Sequence, residues 1–272
     1  DYSLTEAATI SLQENLNVAG MYLYKDILGV VSHSFQYYAM ADILLDSSPW
    51  QQPENDTYID IYGVAEPASP NTVSNIRIDG GLINSRRIDN HLFIATQFVP
   101  NLEDLPDAGT SNRSLVNLYN AILAKNSSEL VPKITINGQT SDLYQLTDCL
   151  LPQRATEQNG HTQMVSVVKI DLDNPMNFSS LCLLTEAHGL FASADHLYLH
   201  ARGEESTIVH KISLGNEIRY QATASVVGTL GWQSSAQFRL AERDGKLLAV
   251  TTVGAWSQDP EHMLHILDRA LL

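Results

Sequence analysis

Basic residues, cysteine and long apolar runs are all scarce in this chain, and each shortage removes a class of function. Its 272 residues carry 16 Lys and Arg against 31 Asp and Glu, a formal charge of −15. Nucleic-acid binders neutralise phosphates with clustered Lys and Arg, so neither DNA nor RNA is an expected partner, and acidic membrane surfaces are disfavoured too. No apolar run reaches the ~20 residues needed to span a bilayer, which argues against membrane insertion by this segment. The opening stretch DYSLTEAATI has no basic region, no hydrophobic signal region and no initiator Met, and a processed product or an excised domain is the expectation. Two cysteines, Cys149 and Cys182, are too few and too far apart for a zinc site. Composition leaves them two readings, a pair of buried thiols or one disulfide formed in an oxidising compartment. There is no glycine-rich phosphate loop and no Gly-x-Ser-x-Gly elbow, and no Ser can be tied to a His and an Asp. No catalytic, cofactor-binding or metal-binding residue is therefore assigned, and no cofactor is expected.

What the chain does have is repetition. From Leu190 to Gly228, two alternating runs, HLYLHAR (196–202) and TIVHKISL (207–214), and a third ending at Gly228 are separated by short polar turns. That is the pattern of an antiparallel meander. A polar turn followed by Leu and an alternating run occurs four times: Lys25-Asp26 before Leu28, Asp89-Asn90 before Leu92, Ala194-Asp195 before Leu197, and Asp244-Gly245 before Leu247. A β-sandwich accounts for short strands but not for a recurring unit. Repeated small sheets with insertions at equivalent turns indicate an all-β β-propeller of about four blade-like units. Residues 1–272 then form one propeller domain, or part of a larger one. The second unit holds an insertion over about 101–160, in which Leu115, Leu118, Tyr119, Ile122 and Leu123 have helical spacing. A helix over 114–125, capped by Ser111 or Ser114 and packed through that stripe, is expected there, followed by a hairpin of ITING (134–138) and DLYQL (142–146). Ile10–Gln13 reads as the last strand of an unfinished blade. Its expected partner is the strand 263–267, within one chain or between two copies, which leaves a homodimer among the expectations.

The segments GGLINSRRIDNHLFIATQF (80–98), TYIDIYGVAEPASP (57–70), TIVHKISL (207–214) and SSAQFRLAERDGKLLAVTTVG (234–254) resemble a bacterial and archaeal family of predicted secreted proteins whose C-terminal β-propeller is distantly related to WD repeats. The likeness runs from about Met21 to Asp268 and includes the helical insertion and Asp148-Cys149. The acidic segment that usually opens the family's propeller and the blades that usually follow the fourth unit have no counterpart here. The resemblance implies an exported protein at the cell surface, in the periplasm or outside the cell, and it favours a Cys149–Cys182 disulfide. It carries over no activity. The functional expectation is a non-catalytic binding module for a protein or carbohydrate ligand; the alternative is a hydrolase or lyase acting on an extracellular polymer at the propeller channel.

Other residues of chemical interest have ordinary structural readings. His196 and His200 share one face of a strand, and His210 on the next strand would complete a metal cluster, but no further ligand follows at a recognisable spacing. His262 and His265, three apart on a strand, fall on opposite faces. Glu103-Asp104, Glu204-Glu205 and Asp171/Asp173 read as solvated turns, the last as a strand-end cap. Of Arg86 and Arg87, one is expected to meet an acid of a neighbouring blade and the other solvent. Four glycosylation sequons, at Asn55, Asn112, Asn126 and Asn177, are at the level of chance. Tyr22, Tyr24, Phe93, Tyr198 and Phe238 sit at strand positions where blade packing is the default. Trp50 and Trp256 fall in loops and are the candidates for an exposed binding surface.

Overall fold

The computed structural model describes residues 3–34, 55–102, 105–106, 111–151, 163–203, 205–231, 236–255 and 259–268. Four antiparallel sheets follow one another along the chain. The first blade is β1 (Leu16–Tyr24), β2 (Ile27–Ser34), β3 (Asp56–Gly63) and β4 (Asn71–Asp79). The second begins with β5 (Gly81–Ile88) and β6 (His91–Phe98). The chain then passes through α1 (Asn112–Leu123) and a hairpin of β7 (Lys133–Ile136) and β8 (Gln139–Asp142), and returns to finish the blade with β9 (Met164–Asp171) and β10 (Phe178–Leu184). The third blade is β11 (Gly189–Ala192), β12 (His196–Arg202), β13 (Ser206–Leu214) and β14 (Ile218–Val227). The fourth has three strands, β15 (Leu240–Arg243), β16 (Lys246–Val253) and β17 (Glu261–Leu267). The expected all-β propeller of four units is thus present.

The repeated turns explain the register. Three of them are two-residue loops whose first residue has positive φ: Lys25 at 50°, Asp89 at 49° and Asp244 at 53°. This is the geometry of tight hairpin turns that match strand twist, and Asn, Asp and Gly adopt it at least cost. The third blade reaches the same place by another route, with Ser193 Oγ accepting from the backbone N–H groups of Asp195 and His196. Because side chains alternate along a strand, each turn fixes which face its Leu takes. Leu92 lies in the core between blades one and two, Leu197 in that between two and three, and Leu247 in that between three and four. The intervening residues Phe93 and Tyr198 pack towards the following blade.

A second repeated device turns the chain from an outer strand to the next blade. Gly80 and Gly228 have φ of 116° and 87°. Each donates its N–H to a carbonyl at the mouth of its own blade, Asn55 O at 2.7 Å and Glu205 O at 2.8 Å. Each also accepts from a buried threonine hydroxyl two residues further on, Thr57 or Thr207, at 2.8 Å. A Cβ at Gly80 would fall 2.9 Å from Gln97 O, and one at Gly228 would fall 2.8 Å from Thr251 Oγ1, so both positions require glycine.

The structure corrects four expectations. Residues 10–13 form no strand and do not pair with 263–267 within the chain; the first strand begins at Leu16, and β17 pairs with β16. Isolated alternation over four residues did not suffice to make a strand of them. The inserted hairpin does not extend its own blade: β7 joins β4, widening the first sheet to six strands. Asn137 secures this contact, its side chain accepting from Asn75 N at 3.0 Å, while Asp79 accepts from Lys133 N at 3.0 Å. The second strand of the hairpin is Gln139–Asp142 rather than 142–146. Finally, Ser111 caps the helix, but Leu115 and Tyr119 of the expected packing stripe stay exposed, and Leu118, Ala121 and Ile122 on that side are no more than partly covered.

The disulfide is formed. Cys149 and Cys182 are bonded at 2.07 Å, and Leu150 pairs with Leu183 beside them. Cys182 belongs to β10, so the bridge fastens the segment that leaves the hairpin on blade one to the outer strand of blade two.

Candidate functional site at the blade axis

The innermost strands β1, β5 and β11 and the 3-10 turn Gln237–Arg239 converge. Side chains from three blades meet there. Tyr22 of blade one donates to Ser85 O at 2.9 Å and lies 2.8 Å from Ser85 Oγ. Arg86 of blade two donates from Nη1 to Asn84 Oδ1 at 3.0 Å and to Ser85 O at 2.8 Å, and from Nη2 to Gln237 Oε1. The arginine thereby joins blade two to the turn that opens blade four. Its expected acidic partner is replaced by the amide of Gln237, while Arg87 is exposed and donates to Asp89 O.

Two residues on from Gln237, Arg239 donates to Thr252 Oγ1 at 2.8 Å, and that hydroxyl lies 3.0 Å from His262 Nδ1. The Thr252 hydroxyl can accept from the guanidinium and still take part in a second hydrogen bond with the imidazole. Between the two anchored side chains Phe238 is 83% exposed, against the packing position expected for it. Among the described residues neither Arg86 nor Arg239 is paired with a carboxylate. Two guanidinium charges and a free aromatic ring on a chain of net charge −15 are suited to an anionic group on a ligand.

The other polar clusters hold blades together. Lys169 and Lys211 occupy equivalent places, opposite Phe93 and Tyr198. Both are buried, and each donates to a turn carbonyl of the following blade, Gly215 O at 3.0 Å and Gly245 O at 3.2 Å. His196 Nδ1 meets Glu242 Oε1 at 2.8 Å across the third interface. Burial, and then the Glu242 carboxylate, push the Tyr198 phenol up. His200 is buried, and desolvation reinforced by His188 lowers it to about 4.

Among the described residues His196, His200 and His210 form no cluster, and the cause is register. His196 and His200 share a face, but His210 is opposite Leu199, on the other side of the sheet, where it meets Thr185 Oγ1 at 3.3 Å. His262 and His265 are on opposite faces as expected: His262 bonds Thr252, and His265 bonds Thr251 Oγ1 at 2.9 Å. Asp171 caps its strand end, accepting from Asp173 N at 3.0 Å and Asn90 Nδ2 at 3.1 Å. Trp50 and Trp256 lie outside the described residues. Sequence reasoning passed over Gln237 and Arg239; their signal was the Gln-Phe-Arg run directly before an inner strand.

A family model described as a Beta propeller domain matches residues 2–272, and the chain belongs to that family. No curated protein matches it.

Proposed function

We propose that this β-propeller domain is a non-catalytic binding module of an exported protein, and that it takes a protein or carbohydrate ligand through a carboxylate held at the axis by Arg239 and Arg86 with Phe238 as the apolar anchor. The observation that carries the reading is the pair of guanidinium groups without acidic partners among the described residues, beside a ring that is 83% exposed. The Cys149–Cys182 bridge supports export, since such bonds persist in oxidising compartments. Titration calorimetry against polygalacturonate, poly-glutamate and neutral dextran separates the two ligand sources. One acidic polymer is expected to bind and dextran not to. Arg239→Gln and Phe238→Ala should each weaken binding by about tenfold or more, the scale of a charged hydrogen bond or an aromatic anchor. Equal binding by both variants would refute the site, and polymer breakdown by the unmodified protein would refute the non-catalytic reading.

A further inference from the structure

We infer that the outer edge of blade three, the stretch of β14 from Thr223 to Val227, takes an extended segment of a partner protein as a fifth, antiparallel strand, with two apolar residues of that segment lying opposite Ala224 and Val226.

The chain makes this contact in its own blade one. β4 and β14 correspond residue by residue: each carries one bulged residue, Val73 or Gln221, and each ends at its junction glycine, Gly80 or Gly228, the same distance further on. Counting from the bulge sets Asn75, Ile76, Arg77 and Ile78 in register with Thr223, Ala224, Ser225 and Val226. The hairpin strand β7 adds to β4 at this place, with Ile76 opposite Ile136, Ile78 opposite Ile134, and Asn137 N donating to Asn75 O at 2.9 Å. The outer strand of blade two is engaged as well, Leu150 N donating to Cys182 O at 3.0 Å and Leu150 O accepting from Leu184 N at 2.9 Å. Among the described residues no segment pairs with the outer side of β14.

Backbone direction follows from the junction. Gly228 donates inward to Glu205 O, so by alternation the N–H and C=O groups of Ala224 and Val226 face β13, and those of Thr223, Ser225 and Val227 face outward. Such a row is a template for a further strand. The stretch from Thr223 to Val227 contains no Pro, no Gly and no charged residue to blunt it, and the bulge at Gln221 lies outside it, as Val73 lies outside the ladder of β7. Composition also selects the occupant. Blade one specifies its own hairpin by Asp79 accepting from Lys133 N and Ser74 Oγ donating to Asn137 Oδ1. Blade three has Val227 and Ala222 at those places, and offers the ladder and apolar contact alone. Ala224 stands where Ile76 does, half-buried and opposite Val209 of the core shared with blade four. A bulky apolar residue on the added strand fills the room the alanine leaves. Two β14 strands paired with each other would set small residues against small residues, which favours a partner segment over a second copy.

Fluorescence anisotropy of a labelled peptide with the sequence of residues 131–143, which contains the strand that occupies the equivalent edge, tests this against the 272-residue chain. Saturable binding below about 1 mM is expected, the weak affinity of so short a ladder. Ser225→Pro removes one outward donor at an edge position that tolerates proline, and should weaken binding about fivefold or more, the scale of one lost hydrogen bond. A peptide N-methylated at the residue corresponding to Thr135 should lose as much against the unaltered chain, which keeps the test independent of how the variant folds. In the free chain the Ser225 amide should exchange at least about tenfold faster than that of Arg77, which β7 covers. Absence of saturable binding overturns the inference, and so does binding that both Ser225→Pro and N-methylation leave unchanged. Ser225 protected to the level of Arg77 would mean that the edge is already taken. A two-copy mass in sedimentation velocity that Ser225→Pro abolishes would put a second copy on it. Either of these results overturns the partner strand.

Discussion

Breaking the Cys149–Cys182 bridge should loosen the molecule at one identifiable seam. The two cysteines are 33 residues apart, and closing a loop of that length removes about 12 to 13 cal/mol/K from the unfolded chain, or about 3.7 kcal/mol at 25 °C on the chain-entropy account. For a chain of this size each kcal/mol moves the melting temperature by about 2–4 °C, so a fall of about 7–15 °C is expected. The perturbation is Cys149→Ser with Cys182→Ala, because Cys182 is buried in the first interblade core and a hydroxyl there would need a partner. Reducing the parent with a phosphine isolates the bond from the packing change. The loss should also be local. Amide exchange should rise first in β7, β8 and the Leu150–Leu183 bridge, since this segment then loses its covalent tie to blade two and keeps its ladder to β4, the Asn137 and Asp79 side chains, its buried Ile134 and Ile136, and the Ser180–Leu143 and Tyr144–Ser166 hydrogen bonds. A melting temperature within about 2 °C of the parent, an effect of no more than about 0.5–1 kcal/mol, would refute the reasoning. So would exchange that rises uniformly.

Acid should cost stability through His200. Its folded value of about 4 lies below the ordinary 6.5 because of burial and then His188, so the unfolded chain takes up the proton first. Stability present above pH 6.5 is lost as pH falls towards 4, by up to about 3 kcal/mol in all. His200→Gln should flatten that limb in chemical denaturation, and an unchanged slope would contradict the assignment. Gly228→Ala meets both a φ of 87° and Thr251 Oγ1 at 2.8 Å, whereas Gly138→Ala meets only its φ of 83° in open space. The first should lose about 2–3 kcal/mol and the second about 1, measured side by side in denaturant; equal losses would remove the role given to the blade junction.

Much of the fold was legible because propeller blades are local. Tight turns at Lys25, Asp89 and Asp244 and period-two alternation set strand faces within a few residues, and Leu28, Leu92, Leu197 and Leu247 could be aligned without any tertiary knowledge. What was not legible depends on distant partners. The ladder of β7 is decided by Asn75 and Asp79, which lie more than fifty residues away. Arg86 finds Gln237 rather than an acid 151 residues along. His210 was grouped with His196 and His200 because the register of β12 on β13 was unknown, and one residue of register inverts a side chain. In α1 the apolar spacing predicted a helix correctly, yet spacing says nothing of what covers the stripe, and Leu115 and Tyr119 remain uncovered. The axial site escaped notice for a similar reason, since Gln237 and Arg239 gain meaning only when blade four curls back beside blade two.

The central structural claim is that alternation along β1 turns Tyr22 and Tyr24 towards the core shared with blade two and leaves Met21 exposed on the opposite face. Its most direct test is methionine oxidation by dilute peroxide, read by mass spectrometry. Met21 lies on that face at 70% exposure, Met176 lies on a turn at 53%, and Met164 is buried at 7%. Met21 should oxidise at a rate close to that of Met176 and at least about tenfold faster than Met164, since oxidation follows exposure. Protection of Met21 equal to that of Met164 would mean that Met21 is covered, and would contradict that assignment of strand faces.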